Sequence, residues 1–166
     1  MNNVFEPLVA ELREELAGYG GLLHLFDEQQ GHLWQRDPLS VVDTARAIEE
    51  LAAETAAHRS AREALVREFA LRHGRDGDAT LRQLLPLFPS DLQQLLDALI
   101  REINHLIHRV RRRARQNQTL IARALELHRD AVATLRPGAL TRTYAPTGRM
   151  STVAVADGVG TLRAAG

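Results

Sequence analysis

Leucine and other apolar residues recur every three or four positions along most of this chain, and this spacing constrains the fold more than any other feature. The longest run begins near Ser90 and continues without a glycine or proline until Pro137-Gly138. Such spacing places the apolar side chains on one face of an α-helix. Because that face must be buried against another element, the pattern predicts a bundle of helices.

The length and composition agree with this prediction. A chain of 166 residues suits one domain, and 26 leucines and 24 alanines against 4% aromatic residues are typical of helices rather than of a β-sandwich or barrel. We expect an all-α fold, an elongated antiparallel three-helix bundle or coiled coil in residues 1–136. Residues 137–166, where the periodicity is lost, are expected to form a linker and a flexible tail. The predicted helices span residues 4–35, 38–73, 80–87 and 90–136.

The first two long helices are expected to pack closely. Three glycines interrupt the first, at a cost of about 1 kcal/mol each relative to alanine. Because the apolar spacing keeps its phase across them, we expect one weakened helix rather than two. The middle of the second helix is rich in alanine, which should let a neighbouring helix approach. The predicted apolar face of the first helix comprises Phe5, Leu8, Leu12, Leu16, Tyr19, Leu23, Phe26 and Leu33, with Gln30 as its polar member.

The formal net charge is zero, but the charge is divided along the chain. Residues 1–78 hold 15 acids and 8 arginines, whereas residues 79–166 hold 6 acids and 13 arginines. A neutral chain is a poor candidate for general affinity to nucleic acid or anionic membranes. We expect the two halves to pair with each other, and high salt to loosen the third long helix first.

The third long helix contains a cluster of five arginines. Its five members spread around the helix, and no aromatic residue interleaves them for base stacking. We therefore expect no nucleic acid as partner, and several ion pairs to the acidic half instead. Arg113 and Asn117 fall in the apolar stripe, where they indicate either polar layers that set the register or locally frayed packing. The cluster comprises Arg109, Arg111, Arg112, Arg113 and Arg115.

The chain carries no pattern that predicts catalysis. It has no cysteine, no nucleophile elbow and no phosphate-binding glycine loop. Glu102 and His105 have the Glu-x-x-His spacing of di-iron bundles, but no second such unit exists. His105 and His108 lack a third ligand. We expect that the protein is not an enzyme and that it has neither a metal site nor a cofactor.

The N-terminal residues lack the basic and apolar regions of a secretory signal, and no stretch approaches the ~18 apolar residues of a membrane span. These features predict a cytoplasmic protein with no membrane insertion.

The helix lengths predict an exposed apolar surface. At 1.5 Å per residue the second helix measures on the order of 54 Å and the third on the order of 70 Å. Residues 120–136 should therefore project beyond the other helices with their apolar stripe uncovered. Beyond this helix, Tyr144 precedes a Pro-x-Gly turn, where it is expected either to anchor the tail on a partner or to fold back on the bundle.

Four features in this order resemble the FlgN family of flagellar export chaperones. An acidic patch spans 25–33, and Arg59 or Arg62 lies late in the second helix. The stretch 115–121 is similar to the asparagine-rich segment of the family, and Tyr144 begins a Tyr-x-Pro-x-Gly element. The resemblance covers about residues 5–150.

The resemblance implies a cytoplasmic chaperone that binds C-terminal helical segments of hook-associated proteins, prevents their premature assembly and delivers them to the flagellar type III export gate. We expect Tyr144 to be the residue that docks at the gate, and the free protein to be either a monomer or a homodimer. The alternative is a structural or adaptor coiled-coil protein that self-associates through the same stripe. The residues expected to bind cargo are Leu120, Ile121, Ala124, Leu127, Ala131, Leu135 and Leu140.

Overall fold

The computed structural model describes residues 5–135 and two strands at 140–144 and 150–154. The predicted helices form, and each boundary lies within about a residue of its predicted position. The all-α fold class is therefore confirmed. The helices are α1 (Phe5–Gln35), α2 (Pro38–Arg72), α3 (Leu81–Leu84), which continues as a 3-10 turn (Leu85–Leu87), and α4 (Ser90–Leu135).

The chain divides into two compact units between Leu120 and Ile121. The first unit is a bundle of three long helices, α1, α2 and the first part of α4, with the short α3 between α2 and α4. In it α1 and α2 are antiparallel, and α4 runs parallel to α1: Phe88, just before α4, lies beside Phe5 at the start of α1, and Asp27 later in α1 contacts Arg113 later in α4. The second unit contains the remainder of α4 and the two strands.

The ends of α2 are set by the residues that the sequence indicated. A carboxylate oxygen of Asp37 accepts a hydrogen bond from the backbone N–H of Ser40 at 3.2 Å, and the other accepts one from the Ser40 hydroxyl at 2.6 Å. These bonds hold the pKa of Asp37 below its ordinary value. At the other end, Gly74 adopts a left-handed φ of +64°, which favours glycine and ends the helix.

An apolar core fills the end of the bundle where α1 begins and α2 ends. Its aromatic centre is Phe69 stacked on Phe88, with ring centroids 4.3 Å apart, and Phe5 beside both. The short α3 contributes leucines to this core, which explains why the chain forms a helical turn between α2 and α4. The buried members are Leu8, Leu12, Val66, Phe69, Ala70, Leu81, Leu84, Phe88, Leu96 and Ile103.

The helices α1 and α2 approach each other closely at Gly18 and Gly21 of α1. A Cβ atom added to Gly18 would lie 2.2 Å from the hydroxyl oxygen of Thr55. The predicted weak point of α1 is thus a contact surface, and α1 is one continuous helix. The expected role of the alanines in α2 is wrong, because Ala52, Ala53, Ala56, Ala57, Ala61 and Ala64 are all exposed.

The buried line of α1 also differs from the predicted one. Leu16, Tyr19 and Leu23 are only partly buried. Because α1 packs between α2 and α4, its most buried positions lie between those two contacts and include polar residues. The buried positions are Leu8, Leu12, Glu15, Gly18, Leu22 and Gln29.

Beyond α4, the segment predicted as a tail without regular structure contains an antiparallel pair of strands. They are β1 (Leu140–Tyr144) and β2 (Met150–Ala154). Leu140 pairs with Ala154 and Tyr144 with Met150. Short alternating runs of threonine, serine and single apolar residues give a weak strand signal, so neither strand was predicted from the sequence.

Candidate functional site

A polar network joins α4 to the second half of α1. The side chain of Asn117, with 1% of its surface exposed, donates hydrogen bonds to the carbonyl of Phe26 at 2.8 Å and to Oε1 of Gln29 at 3.0 Å. Its oxygen accepts a bond from Nε2 of Gln30 at 3.3 Å. All polar atoms of the Asn117 side chain are therefore paired, and the network fixes the register of α4 on α1.

Arg113 completes this network one helical turn earlier. Its Nε lies 2.5 Å from a carboxylate oxygen of Asp27, and its Nη1 donates to Oε1 of Gln30 at 2.9 Å. Of the two interpretations that the sequence left open, a register-setting polar layer is the one observed. The network brings together the acidic patch of α1 and the asparagine-rich segment of α4, which are the two longest segments of the family resemblance.

The other arginines of the cluster do not behave as predicted. Arg109, Arg111, Arg112 and Arg115 are exposed, and among the residues that the structure describes they form no ion pair. Within the described residues, Arg113 is the one member that pairs with the acidic half. Arg111 lies beside the groove between α1, α2 and α4. Acids of α1 are partly engaged within the α1–α2 pair, as in Glu11–His58 and Glu15–Arg62.

The end of α4 exposes a set of apolar side chains that we call the α4 apolar face. Leu127 and Leu135 expose 71% and 81% of their surfaces, and Leu125 and Val132 are also exposed. At 100° per residue these side chains cover one arc of about 160° around the helix. The α4 apolar face lies in the second unit and comprises Ile121, Ala124, Leu125, Leu127, His128, Ala131, Val132 and Leu135.

The residues predicted to bind cargo fall at several places. Ala124, Leu127, Ala131 and Leu135 are exposed on the α4 apolar face. Leu120 and Ile121 are half-buried on either side of the division between the units. Leu140 and Tyr144 are the first and last residues of β1.

Leu125 and Val132 share this arc but were not among the residues predicted to bind cargo. The predicted stripe was narrow, with one residue per three or four positions as in a coiled coil. A full projection at 100° per residue finds the wider face, which is typical of a helix that packs against more than a single narrow seam.

The bundle also contains a groove of about 270 Å³ between α1, α2 and α4. Its one carboxylate belongs to Glu15 and lies 2.7 Å from Nε of Arg62, so it is engaged in an ion pair. Glu102, His105 and His108 are exposed on α4. Within residues 5–135 and the two strands, no three acidic or histidine side chains group as metal ligands would.

None of the helices in the described part of the chain combines the length and the apolar character that crossing a membrane requires.

The structure is thus a helical bundle whose longest helix carries an exposed, wide apolar face. The comparison with protein families identifies the class of protein. The family model described as FlgN protein matches residues 1–152, and the chain therefore belongs to the FlgN family. No curated protein and no solved structure matched the chain.

Membership identifies the general function. The chain is a flagellar type III export chaperone, and its kind of partner is the flagellar hook-associated protein. The family consists of chaperones and is not known for enzymatic activity.

Proposed function

We propose that this chaperone holds C-terminal helical segments of hook-associated proteins on the α4 apolar face. In this proposal the chaperone acts in the cytoplasm, where it covers apolar surface of the cargo, prevents premature assembly and delivers the cargo to the export gate. The residues assigned to cargo binding are those predicted from the sequence, together with Leu125 and Val132.

The observation that carries the proposal is the exposure of this face. Apolar side chains that are more than half exposed over several helical turns leave a contiguous surface in water, and such surfaces mark interaction sites. An amphipathic helix is the partner that such a face suits, because a second apolar stripe fits it along its length.

The proposal divides the chain by role. Residues 1–136 carry the helices and present the face, and residues 137–166 serve as linker and tail. Leu140 extends the cargo contact, and Tyr144 docks at the export gate. The family match continues to residue 152, so it includes β1 and the first part of β2.

Light scattering with and without a C-terminal fragment of a hook-associated protein tests the proposal against the self-associating adaptor. A chaperone is expected to form a complex with the fragment at the expense of any homo-oligomer. A stable homo-oligomer whose mass does not change when the fragment is added contradicts the proposal.

The gate role of Tyr144 has its own test. The Tyr144→Ala variant should bind the fragment as the wild type does but support less secretion of hook-associated protein. The Tyr144→Phe variant keeps the ring and serves as the matched control. Normal secretion by Tyr144→Ala removes the assigned role.

A further inference from the structure

The edges of the α4 apolar face carry arginines. Projected at 100° per residue, Arg123 lies about 40° outside Leu127 on one edge, and Arg129 lies about 40° outside Leu125 on the other. Both arginines are exposed, and the structure pairs neither of them with an acid among the described residues. A partner that covers the face must therefore pass between two positive charges.

The part of α4 that is buried in the first unit shows how an arginine at the edge of an apolar stripe is paired. Leu96, Ile103 and Asn117 are buried in the first unit, and the periodicity of α4 places them in phase with Ile121 and His128. Along that part, Arg113 stands at the edge of the buried line, and the covering helix α1 supplies Asp27 to it. Apolar contact along the centre and a carboxylate at the edge form one interface.

We propose that the cargo segment that covers the α4 apolar face is an amphipathic helix whose apolar stripe is flanked by carboxylates, which pair with Arg123 and Arg129. This inference rests on the proposed function, because it assigns the chemistry of the partner to the same face. Glutamate or aspartate at the positions beside the apolar stripe is the feature that the face selects.

Charge argues against the other occupants. A second copy of the face would bring arginine edges against arginine edges, and like charges at the flanks of paired helices oppose association. An anionic membrane would attract the arginines but repel Glu126 and Asp130, which occupy the polar side of the same segment. Small side chains at Ala124 and Ala131 let a partner helix approach the centre of the face.

Two designed helical peptides test the inference. They share one length and one apolar stripe and differ only at the flanking positions, which are glutamate in one peptide and lysine in the other. Titrated by fluorescence anisotropy against the full chain in low salt, the glutamate peptide should bind about tenfold more tightly. The difference should narrow in high salt, because exposed ion pairs are screened.

Charge reversal on the chaperone supplies the matched variant. Arg123→Glu with Arg129→Glu should reverse the preference, so that the lysine peptide binds more tightly. Arg112→Glu with Arg115→Glu changes the same number of charges on the far side of α4 and should leave the preference unchanged. A gain of affinity for the lysine peptide cannot come from misfolding, and circular dichroism checks the helix content of both variants.

Several outcomes overturn the inference. Equal affinity for the two peptides, an unchanged preference after charge reversal, or binding to neither peptide contradicts the acidic flanks. Binding to anionic lipid vesicles that the glutamate peptide does not displace assigns the face to a membrane, and a dimer that either peptide fails to dissociate assigns it to a second copy. The hook-associated fragment is titrated in parallel: if it binds, only the inference fails, and if it does not bind, the proposed function fails with it.

Discussion

Glu15 shows how a single charged residue can belong to a helix interface. Its side chain has 1% of its surface exposed, and its Oε2 atom lies 2.7 Å from Nε of Arg62 on α2. A buried carboxylate is stable there only because this partner offsets the loss of hydration. The spacing of apolar residues does not predict that Glu15 is buried, because periodicity alone does not identify a partner 47 residues away.

Removing one member of this pair should be more harmful than removing both. Arg62→Leu leaves the Glu15 carboxylate buried without its partner and should lower the free energy of unfolding by roughly 3 kcal/mol. The double variant Glu15→Leu with Arg62→Leu should recover most of this loss. Urea denaturation of the three proteins measures both changes, and a double variant no more stable than Arg62→Leu contradicts the account.

His58 forms a second contact between α1 and α2. Its Nδ1 atom lies 2.7 Å from a carboxylate oxygen of Glu11, and both side chains are half-buried. The hydrogen bond with Glu11 is the main cause that raises the pKa of His58, and the charges of Glu11, Glu14 and Glu54 add to it, while desolvation opposes them. The protonated imidazolium is therefore favoured in the folded protein.

The raised pKa predicts how stability depends on pH. Because the pKa of His58 is higher in the folded protein than in the unfolded chain, its contact with Glu11 contributes to stability. This contribution is fully present below the unfolded pKa of about 6.5 and is lost as pH rises through the folded pKa. The difference in melting temperature between the wild type and His58→Gln should thus be largest at mildly acidic pH and shrink at alkaline pH. His24→Gln, at an exposed histidine of α1, is the control. A difference that stays constant with pH contradicts the assignment.

At the scale of whole elements, the glycines of α1 have different roles. Gly18 contacts Thr55, whose hydroxyl donates a hydrogen bond to the carbonyl of Leu51 at 2.7 Å, so this side chain is held in place. A Cβ added at Gly20 would meet nothing within 4 Å. The sequence alone shows both as weak helix formers, and only the packing of α2 distinguishes them.

Alanine substitution separates these two roles. Gly18→Ala should destabilise the protein by about 1–3 kcal/mol, because the new methyl group forces α1 and α2 apart. Gly20→Ala should stabilise it by up to about 1 kcal/mol through helix propensity alone. Thermal unfolding of the two variants measures both changes in stability. Equal effects of the same sign would show that a methyl group at position 18 does not force α1 and α2 apart.

The structure also changes the expectation for salt. The prediction that high salt loosens α4 first assumed several ion pairs from the arginine cluster to the acidic half, whereas Arg113–Asp27 is the one present among the described residues. Screening acts as well on the α1–α2 contacts of His58 and Arg62. The reason for expecting α4 to respond before the other helices is therefore removed.

How much could be predicted from the sequence depends on the kind of signal. Helix bounds were predictable because Pro38 and Gly74 act locally on the backbone. The burial of Glu15 and Gln29 was not, since it depends on partners far away in the chain. For the α4 apolar face, periodicity identified Leu127 and Leu135. It did not identify Leu125 and Val132, because the assumed stripe was too narrow to include them.

At the scale of the whole molecule, two kinds of interface are present in the first unit. An apolar core closes one end, and the network of Asn117 and Arg113 fixes α4 near the other. These contacts stabilise the bundle without using the α4 apolar face. The face is therefore available to a partner without any contact in the bundle having to break.

The binding of cargo to the α4 apolar face is the central claim, and calorimetry of paired variants tests it most directly. Leu127→Asp with Leu135→Asp places charges on the face, whereas Leu39→Asp with Leu71→Asp alters two leucines of α2 that are 78% and 61% exposed. Titrated with a C-terminal fragment of a hook-associated protein, the first variant should bind about 100-fold more weakly than the wild type, and the second should bind as the wild type does. Unchanged affinity of the first variant, or an equal loss in both, would contradict the claim.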